Sequence, residues 1–442
     1  MLSRRTMITS LAAGAVSATM GRQAAPATSP SQPVSHTALF PSPEASFEAM
    51  RALGYTPACG ADIMETLQTL DHIDLNNLNT WYSAWNDLAT MVNGWGAESE
   101  ADKKTVSAYQ AYLRSSMYFR SAGFFLTITP EDPRLLQTYD NSVGAFRKAI
   151  QYLSPKVTPI TIPYEGTILD GYYCEPVAAP KPYRTLILHT GFDGTAEEIY
   201  FCAKGAIDRG IACVIFDGPG QGAAIRKRGL TFIPEWERPV GAVIDWCEKQ
   251  PELDLRHLAL IGFSFGGYLA PRAAAYDDRI KICIADGGVY SEFDAVMSQM
   301  PKEMEGLLES DPATFNKYFD EALGSMGLMA RWALGNGLYT FGCKTPAEWC
   351  QKLRAYTLKD AAPKIKATTL VIDSEGDTMI ANQAKPLYDA LTCPKTYMVF
   401  TAKEGAQLHC QVGALNQMSR RVYDWLLDAY TKFESASSQP AR

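Results

Sequence analysis

Histidine is almost absent from this chain, with five in 442 residues, so the search for a histidine base is short. The ten cysteines contain no C-x-x-C pair and no metal-ligand spacing, which leaves no metal or redox motif and no expected cofactor. Basic clusters are missing outside the extreme N-terminus, and 41 Lys and Arg against 48 Asp and Glu give a net charge of -7. Nucleic acid is therefore not an expected partner. Past residue 27 no stretch reaches the roughly 18 continuous apolar residues of a membrane helix, so no stable membrane insertion is expected.

Hydrophobic residues make up 47% of the chain, with 22 Tyr, 18 Phe and 8 Trp, as for a globular core rich in aromatics. Most cysteines, Cys213 and Cys283 among them, fall in apolar strand-like runs and read as core thiols. Cys343 and Cys350 are the pair best placed for a disulfide, because they close a short loop in a polar stretch. Residues 1–27, MLSRRTMITSLAAGAVSATMGRQAAPA, have a charged start, a mild apolar stretch and small residues at Ala25 and Ala27, as in a signal peptide. Ser3 to Ile8 resembles a bacterial twin-arginine signal, which predicts a periplasmic or secreted protein.

A Pro/Ser-rich linker, 28–43, precedes an all-helical region, 44–154. Its apolar residues recur at spacings of three and four: Leu78, Trp81, Trp85, Leu88, Val92; Val106, Tyr109, Leu113, Met117; Tyr139, Val143, Phe146, Ile150, Leu153. The aromatic stripe reads as core packing rather than a cofactor site. From 155 to 435 strands alternate with helices, beginning with a hairpin around Tyr164, Glu165 and Gly166. That order predicts a mostly parallel sheet flanked by helices. A helical insertion, about 291–358, follows the sixth strand and would lie as a cap over the carboxyl ends of the strands, where ligands bind. Residues 436–442 read as a disordered tail.

Within LALIGFSFGGYLA (258–270), Ser264 sits between a short apolar strand and a helix, with Gly262 and Gly266 on either side. Pro271 is expected in the first turn of that helix. G-x-S-x-G at a strand-to-helix turn is the nucleophile elbow of the α/β-hydrolases. A serine needs a histidine base held by a carboxylate, in the chain order Ser, Asp or Glu, His. Only His409 follows Ser264; His36, His72, His189 and His257 precede it. For the acid, Asp377 is preferred over Asp373, which still belongs to a strand, and over Glu375, which precedes the turn; Asp377 also suits a helix cap near Ala381. The backbone N–H groups of Phe265 and Phe192 are the expected oxyanion donors, with His189 bracing the loop of Phe192.

Further segments carry a more specific resemblance: LRSSMYFRSAGFFL (113–126), IPYEGTILDGYY (162–173), GFDGTAEEIYF (191–201), FDGPGQG (216–222), IPEWERPVGAVIDW (233–246) and EGAQLHC (404–410). With the elbow, they resemble the α/β-hydrolase branch of 2,6-dihydroxypseudooxynicotine hydrolase and the fungal hydrolases and acyl transferases encoded with polyketide pathways. The resemblance implies an α/β-hydrolase fold with the site in a cleft beneath the N-terminal helices. It also implies that Asp193, at the family's acidic position after the oxyanion glycine, takes part in carbon–carbon cleavage beside a ketone. Thr190 departs from the family, which often has a second glycine there. The expected enzyme is a serine hydrolase acting on a small-molecule carbonyl substrate through Ser264, His409 and Asp377. Carbon–carbon hydrolysis, ester or lactone hydrolysis and acyl transfer all fit that triad. A catalytically silent binding module on the same fold, and a homodimer, stay open.

Overall fold

A computed structural model describes residues 39–40 and 42–437. The expected signal peptide and most of the linker lie outside the described residues, as do 438–442. Five helices open the described chain: α1 (Pro43–Gly54), α2 (Ile63–Leu70), α3 (Leu78–Ala101), α4 (Thr105–Gly123) and α5 (Pro133–Ala149). Periodicity reveals the last three. The first two are short, and their signals are caps: the Ser42 side chain accepts from the Ala45 N–H, and that of Asp62 from the Met64 N–H. In α3 the stripe Trp81, Trp85, Leu88 and Val92 is buried as expected. In α4 the stripe departs from expectation: Val106 is exposed, while from Ala108 onward the helix is buried on most sides. The reason is position, since α4 runs between α3 and α5.

Eight strands form one sheet in the order β1-β2-β4-β3-β5-β6-β7-β8. They are β1 (Val157–Tyr164), β2 (Thr167–Cys174), β3 (Tyr183–His189), β4 (Ala212–Phe216), β5 (Leu253–Phe263), β6 (Ile282–Asp286), β7 (Thr368–Ser374) and β8 (Lys395–Phe400). The β1–β2 hairpin turns on Glu165 (φ 43°) and Gly166 (φ 78°), the two left-handed residues of a tight hairpin whose twist matches its strands. β2 is antiparallel to both neighbours, and β4, β3, β5, β6, β7 and β8 pair in parallel.

The strand period of two sorts side chains to opposite faces. Cys213, Ile215, Ala259, Ile261, Ile282 and Ile284 join the core that contains Trp81, Trp85 and Phe146 of the N-terminal helices. Val214, Phe216, Leu258, Leu260 and Cys283 join the core on the other face. The helical region is thus packed continuously with one face of the sheet.

Helices α6 (Ala196–Ile207), α7 (Gly222–Arg228), α8 (Glu237–Cys247) and α9 (Gly266–Tyr276) connect successive strands. Because α9 begins at Gly266, Pro271 lies in its second turn, not its first. The carbonyl that Pro271 leaves without a helical donor, that of Gly267, accepts from the Val289 N–H at 3.3 Å. Between β6 and β7 come α10 (Glu292–Met297), α11 (Glu303–Ser310), α12 (Pro312–Ala322), α13 (Leu328–Phe341) and α14 (Pro346–Leu353). A β-bridge between Ser291 and Thr357 closes the base of this segment. Trp332 of α13 stacks on Phe124 at 4.6 Å between ring centroids, which seats the insertion against the N-terminal helices. The last helix, α16 (Asp424–Ser437), follows α15 (Ala384–Ala390) and β8, and it extends into the stretch expected as tail.

All ten cysteines are free. The expected Cys343–Cys350 disulfide is absent because both thiols are buried in the apolar packing of the insertion rather than placed on a polar loop.

The seam between helices and sheet holds a buried ionic cluster. Arg51 forks onto Glu198 at 2.6 and 2.8 Å and reaches Asp193 at 3.1 Å. Arg120 binds Glu48 at 3.0 Å, Glu198 at 3.2 Å and also Asp193. Taking these charges out of water is costly, and only mutual pairing offsets it. Replacing Arg120 with methionine is expected to destabilise the protein by about 3–5 kcal/mol, because buried carboxylates lose a partner. Replacing Arg238, whose pair with Glu165 is 47% and 45% exposed, is expected to cost less than about 1 kcal/mol. Chemical denaturation of both variants checks the contrast; equal losses would contradict it.

Candidate active site

β5 delivers Ser264 at its carboxyl end, and the turn into α9 forces the serine to φ 62°, a conformation costly for a residue with a side chain. The Ser264 N–H donates to the Asp286 carbonyl at 2.8 Å, which ties the elbow to the end of β6. A Cβ on Gly262 would meet the Gly266 carbonyl oxygen at 2.2 Å, so the turn closes only with glycine there.

His409 is brought to this elbow by the loop after β8. Its Nε2 lies 2.8 Å from Ser264 Oγ, and its Nδ1 lies 2.6 Å from Asp377 Oδ2. Asp377 Oδ1 also accepts from the N–H groups of Met379 and Ile380 at 2.9 and 3.2 Å. The alternative acids are engaged elsewhere: Asp373 with the Tyr397 hydroxyl, Glu375 with the Ala402 N–H. The helix expected near Ala381 starts at Ala384. Burial is the largest influence on His409 and would lower its pKa, yet Asp377 and Cys410, whose Sγ lies 3.6 Å from Nε2, together raise it well above the ordinary value. Burial likewise opposes ionisation of Asp377, and the imidazole with the two backbone N–H groups overcomes it, so its pKa is lowered. Gln411 holds the His409 loop through Asp286 Oδ1 (3.0 Å) and Ser374 Oγ (3.1 Å).

The loop after β3 is set by donors pulling on its carbonyls. Gln221 Nε2 donates to the carbonyls of Thr190 and Gly191 at 2.8 and 3.0 Å, and Asn336 Nδ2 to that of Phe192 at 3.0 Å. A trans peptide points its C=O and N–H in opposite directions, so the pull on the Gly191 carbonyl aims the Phe192 N–H the other way. Among the described residues the N–H groups of Phe192 and Phe265 have no acceptor in the chain. Gly191 packs so closely on the elbow that a Cβ would lie 2.6 Å from the Phe265 nitrogen and 2.5 Å from the Phe263 oxygen. His189 braces the same loop: Nδ1 donates to the Thr190 carbonyl at 2.8 Å, and burial lowers its pKa to about 4, so it stays neutral.

Asp193 is not on its own turn backbone; it lies between Arg51 and Arg120. Burial would favour its protonated form, but the two guanidinium groups win and lower its pKa. An ionised carboxylate engaged this way cannot donate a proton, so any part it takes in carbon–carbon cleavage is not that of a proton donor. Another carboxyl, within electrostatic reach of His409, keeps its proton instead. Glu292, at the start of α10, has an Oε2 sealed from solvent with no hydrogen-bond partner. Burial raises its pKa to about 7, opposed only by the charge of His409.

Sequence reasoning missed Glu292, Arg51, Arg120, Gln221 and Asn336. Arg120 and Gln221 lie inside segments quoted for their resemblance, whereas Glu292 follows Ser291, whose side chain caps α10.

Strand order and elbow define the class as an α/β-hydrolase fold. A family model described as alpha/beta hydrolase fold matches residues 184–329. The hydrolase LUC6 of Fusarium sp is 35% identical over 411 residues, covering 89% of this chain and 98% of the relative. The 20-hydroxy-prefusarin hydrolase FUS2 of Gibberella moniliformis is 36% identical over 412 residues, covering 88% of this chain and 97% of the relative. The solved 2,6-dihydroxy-pseudo-oxynicotine hydrolase superposes with a TM-score of 0.68 at 20% identity, over 85% of this chain and 95% of its own. The chain belongs to the α/β-hydrolase family and is a hydrolase. The sequence relatives are fungal, pointing to a eukaryotic origin, and this overturns the expected bacterial twin-arginine export and periplasmic or secreted location.

The raised pKa of Glu292 has a stability consequence. A carboxyl that keeps its proton in the folded state up to about pH 7, and only to about 4.3 when unfolded, weakens folding progressively across that window as pH rises. Glu292→Gln is expected to raise the melting temperature at pH 8 and leave it unchanged at pH 4. An equal shift at both pH values would contradict this reading.

Proposed function

We propose that this hydrolase cleaves a small-molecule carbonyl substrate through Ser264, His409 and Asp377, and that the bond broken joins two carbons, in a β-dicarbonyl compound or an aryl ketone. The continuous path from Ser264 Oγ to His409 Nε2 (2.8 Å), and from Nδ1 to Asp377 (2.6 Å), carries the reading. Ser264 Oγ attacks the carbonyl carbon as His409 takes its proton. The N–H groups of Phe265 and Phe192 stabilise the oxyanion. Collapse of the adduct breaks the carbon–carbon bond, and the electron pair leaves with the departing carbon as an enolate.

That carbon needs a proton, which an ester oxygen needs far less. Glu292 holds one near neutral pH and delivers it, after which solvent reprotonates Glu292 and takes up the proton that His409 drew from Ser264. Neutral His409 next activates water, which releases the acyl group from Ser264 as a carboxylic acid. Support for a small oxygenated substrate comes from the relative named as a 20-hydroxy-prefusarin hydrolase.

Matched aryl esters and aryl 1,3-diketones, with products identified by mass spectrometry, test the reading. Ser264→Ala is expected to lower turnover of both by several orders of magnitude with the fold intact. Glu292→Gln is expected to slow diketone cleavage by about 10²–10⁴ and ester hydrolysis far less. In wild type, diketone cleavage should fall as pH rises through about 7, where Glu292 loses its proton, with no such fall for the ester. Equal losses on both substrates, or ester cleavage alone, would contradict carbon–carbon hydrolysis.

A further inference from the structure

Helix α1 has three faces, and each meets something different. Ala45, Ala49 and Ala52 are buried in the core shared with the sheet, and Glu48 and Arg51 enter the ionic cluster. Phe47, Met50 and Gly54, spaced as one helical face, turn toward the loop that carries His409. A Cβ on Gly54 would lie 2.8 Å from the Gly413 nitrogen, and one on Gly413 3.2 Å from Met50 Sδ. Contact this close fixes the helix against that loop.

Phe47, the first residue of that face, joins neither apolar core and is half-buried. Its one ring contact among the described residues is with His409, at 6.4 Å between centroids and tilted by 46°. Ser264 is likewise the only residue of 258–271 that is not buried, so the serine and the aromatic ring both reach accessible space beside the same imidazole. Ile380 is a second apolar side chain there: a Cβ on Gly287 would lie 2.8 Å from Ile380 Cδ1, 3.5 Å from His409 Cε1 and 3.6 Å from Ser264 Cα. An aromatic ring left partly in water gains when an apolar group covers it.

We propose that Phe47 sets the choice of leaving group, and that it favours a planar, conjugated group over a saturated one of the same size. In acyl transfer to a serine the imidazole takes the serine proton and hands it to the departing atom, so the leaving group departs on the imidazole side of the carbonyl, where Phe47 stands. A phenyl ring offers an offset or edge-on contact to another π system, beyond what buried area alone gives. The inference rests on the proposed reaction in taking Ser264 as nucleophile and His409 as its base.

Two ester pairs test it, each matching an aromatic ring with its saturated counterpart. Benzyl and cyclohexylmethyl acetate vary the leaving alcohol, whereas methyl benzoate and methyl cyclohexanecarboxylate vary the acyl group. Wild type is expected to favour benzyl acetate, and Phe47→Leu to lose about two- to tenfold of that preference in kcat/KM, while the ratio for the two methyl esters is unchanged. Each ratio is taken within one variant, so a partial loss of folded protein cancels. Phe47→Tyr, which keeps the ring, is expected to retain the preference. A leaving-group ratio unchanged in Phe47→Leu, an equal shift in both ratios, loss of the preference in Phe47→Tyr, or cleavage of neither acetate by wild type would overturn the inference. Failure of the hydrolase reading would show separately, as turnover of these esters retained by Ser264→Ala.

Discussion

Two arginines from the N-terminal helices pair with Asp193 and so tie the helical region to the loop after β3, beside the Ser264 elbow. Arg51 and Arg120 converge on Asp193, one residue beyond Phe192, and anchor the same cluster to Glu198 at the start of α6. Three carboxyls face two guanidinium groups, and the imbalance is eased at Glu48, where burial outweighs both arginines and raises the pKa. The helical region therefore does more than cover one face of the sheet. It supplies the charges that fix a loop whose Phe192 N–H has no acceptor among the described residues.

The same logic separates the acids around Ser264. Asp377 is held ionised by His409 and two backbone N–H groups, while the buried Oε2 of Glu292 meets no hydrogen-bond partner and the carboxyl keeps its proton to about pH 7. Two carboxyls pushed apart by their surroundings can serve as an orienting anion and a proton donor. Close packing keeps the parts in register: Gly191 touches the elbow, and Gln221 and Asn336 pull the loop carbonyls away from the serine. Asn336 comes from the insertion, so all three layers meet at one loop.

Much of the fold was legible, because strand and helix periods follow from burial on one or two faces. The elbow spacing and the chain order serine, aspartate, histidine led to three side chains that the fold brings within hydrogen-bond distance. Features that depend on distant segments were not legible. Arg51 and Arg120 lie 142 and 73 positions from Asp193, and no local pattern marks such a pairing. Without those partners in view, Asp193 was expected only to take part in carbon–carbon cleavage, and nothing in the local sequence singled out Glu292. Local rules also misled at Pro271, where the carbonyl freed by the proline is satisfied from outside the helix, and at Cys343 and Cys350, whose short spacing hid their burial. The paired arginines near the N-terminus matched an export signal that the fungal relatives overturn.

Asp193 is the anion by which the helical region holds the loop after β3. A double-mutant cycle on ester hydrolysis tests it most directly, with kcat and KM measured for Arg120→Met, Asp193→Asn and the pair. A tether predicts that each single change lowers kcat and that the double variant is little slower than the worse of the two, a strong departure from additivity. Multiplying losses, or an Asp193→Asn protein with wild-type ester turnover, would contradict it.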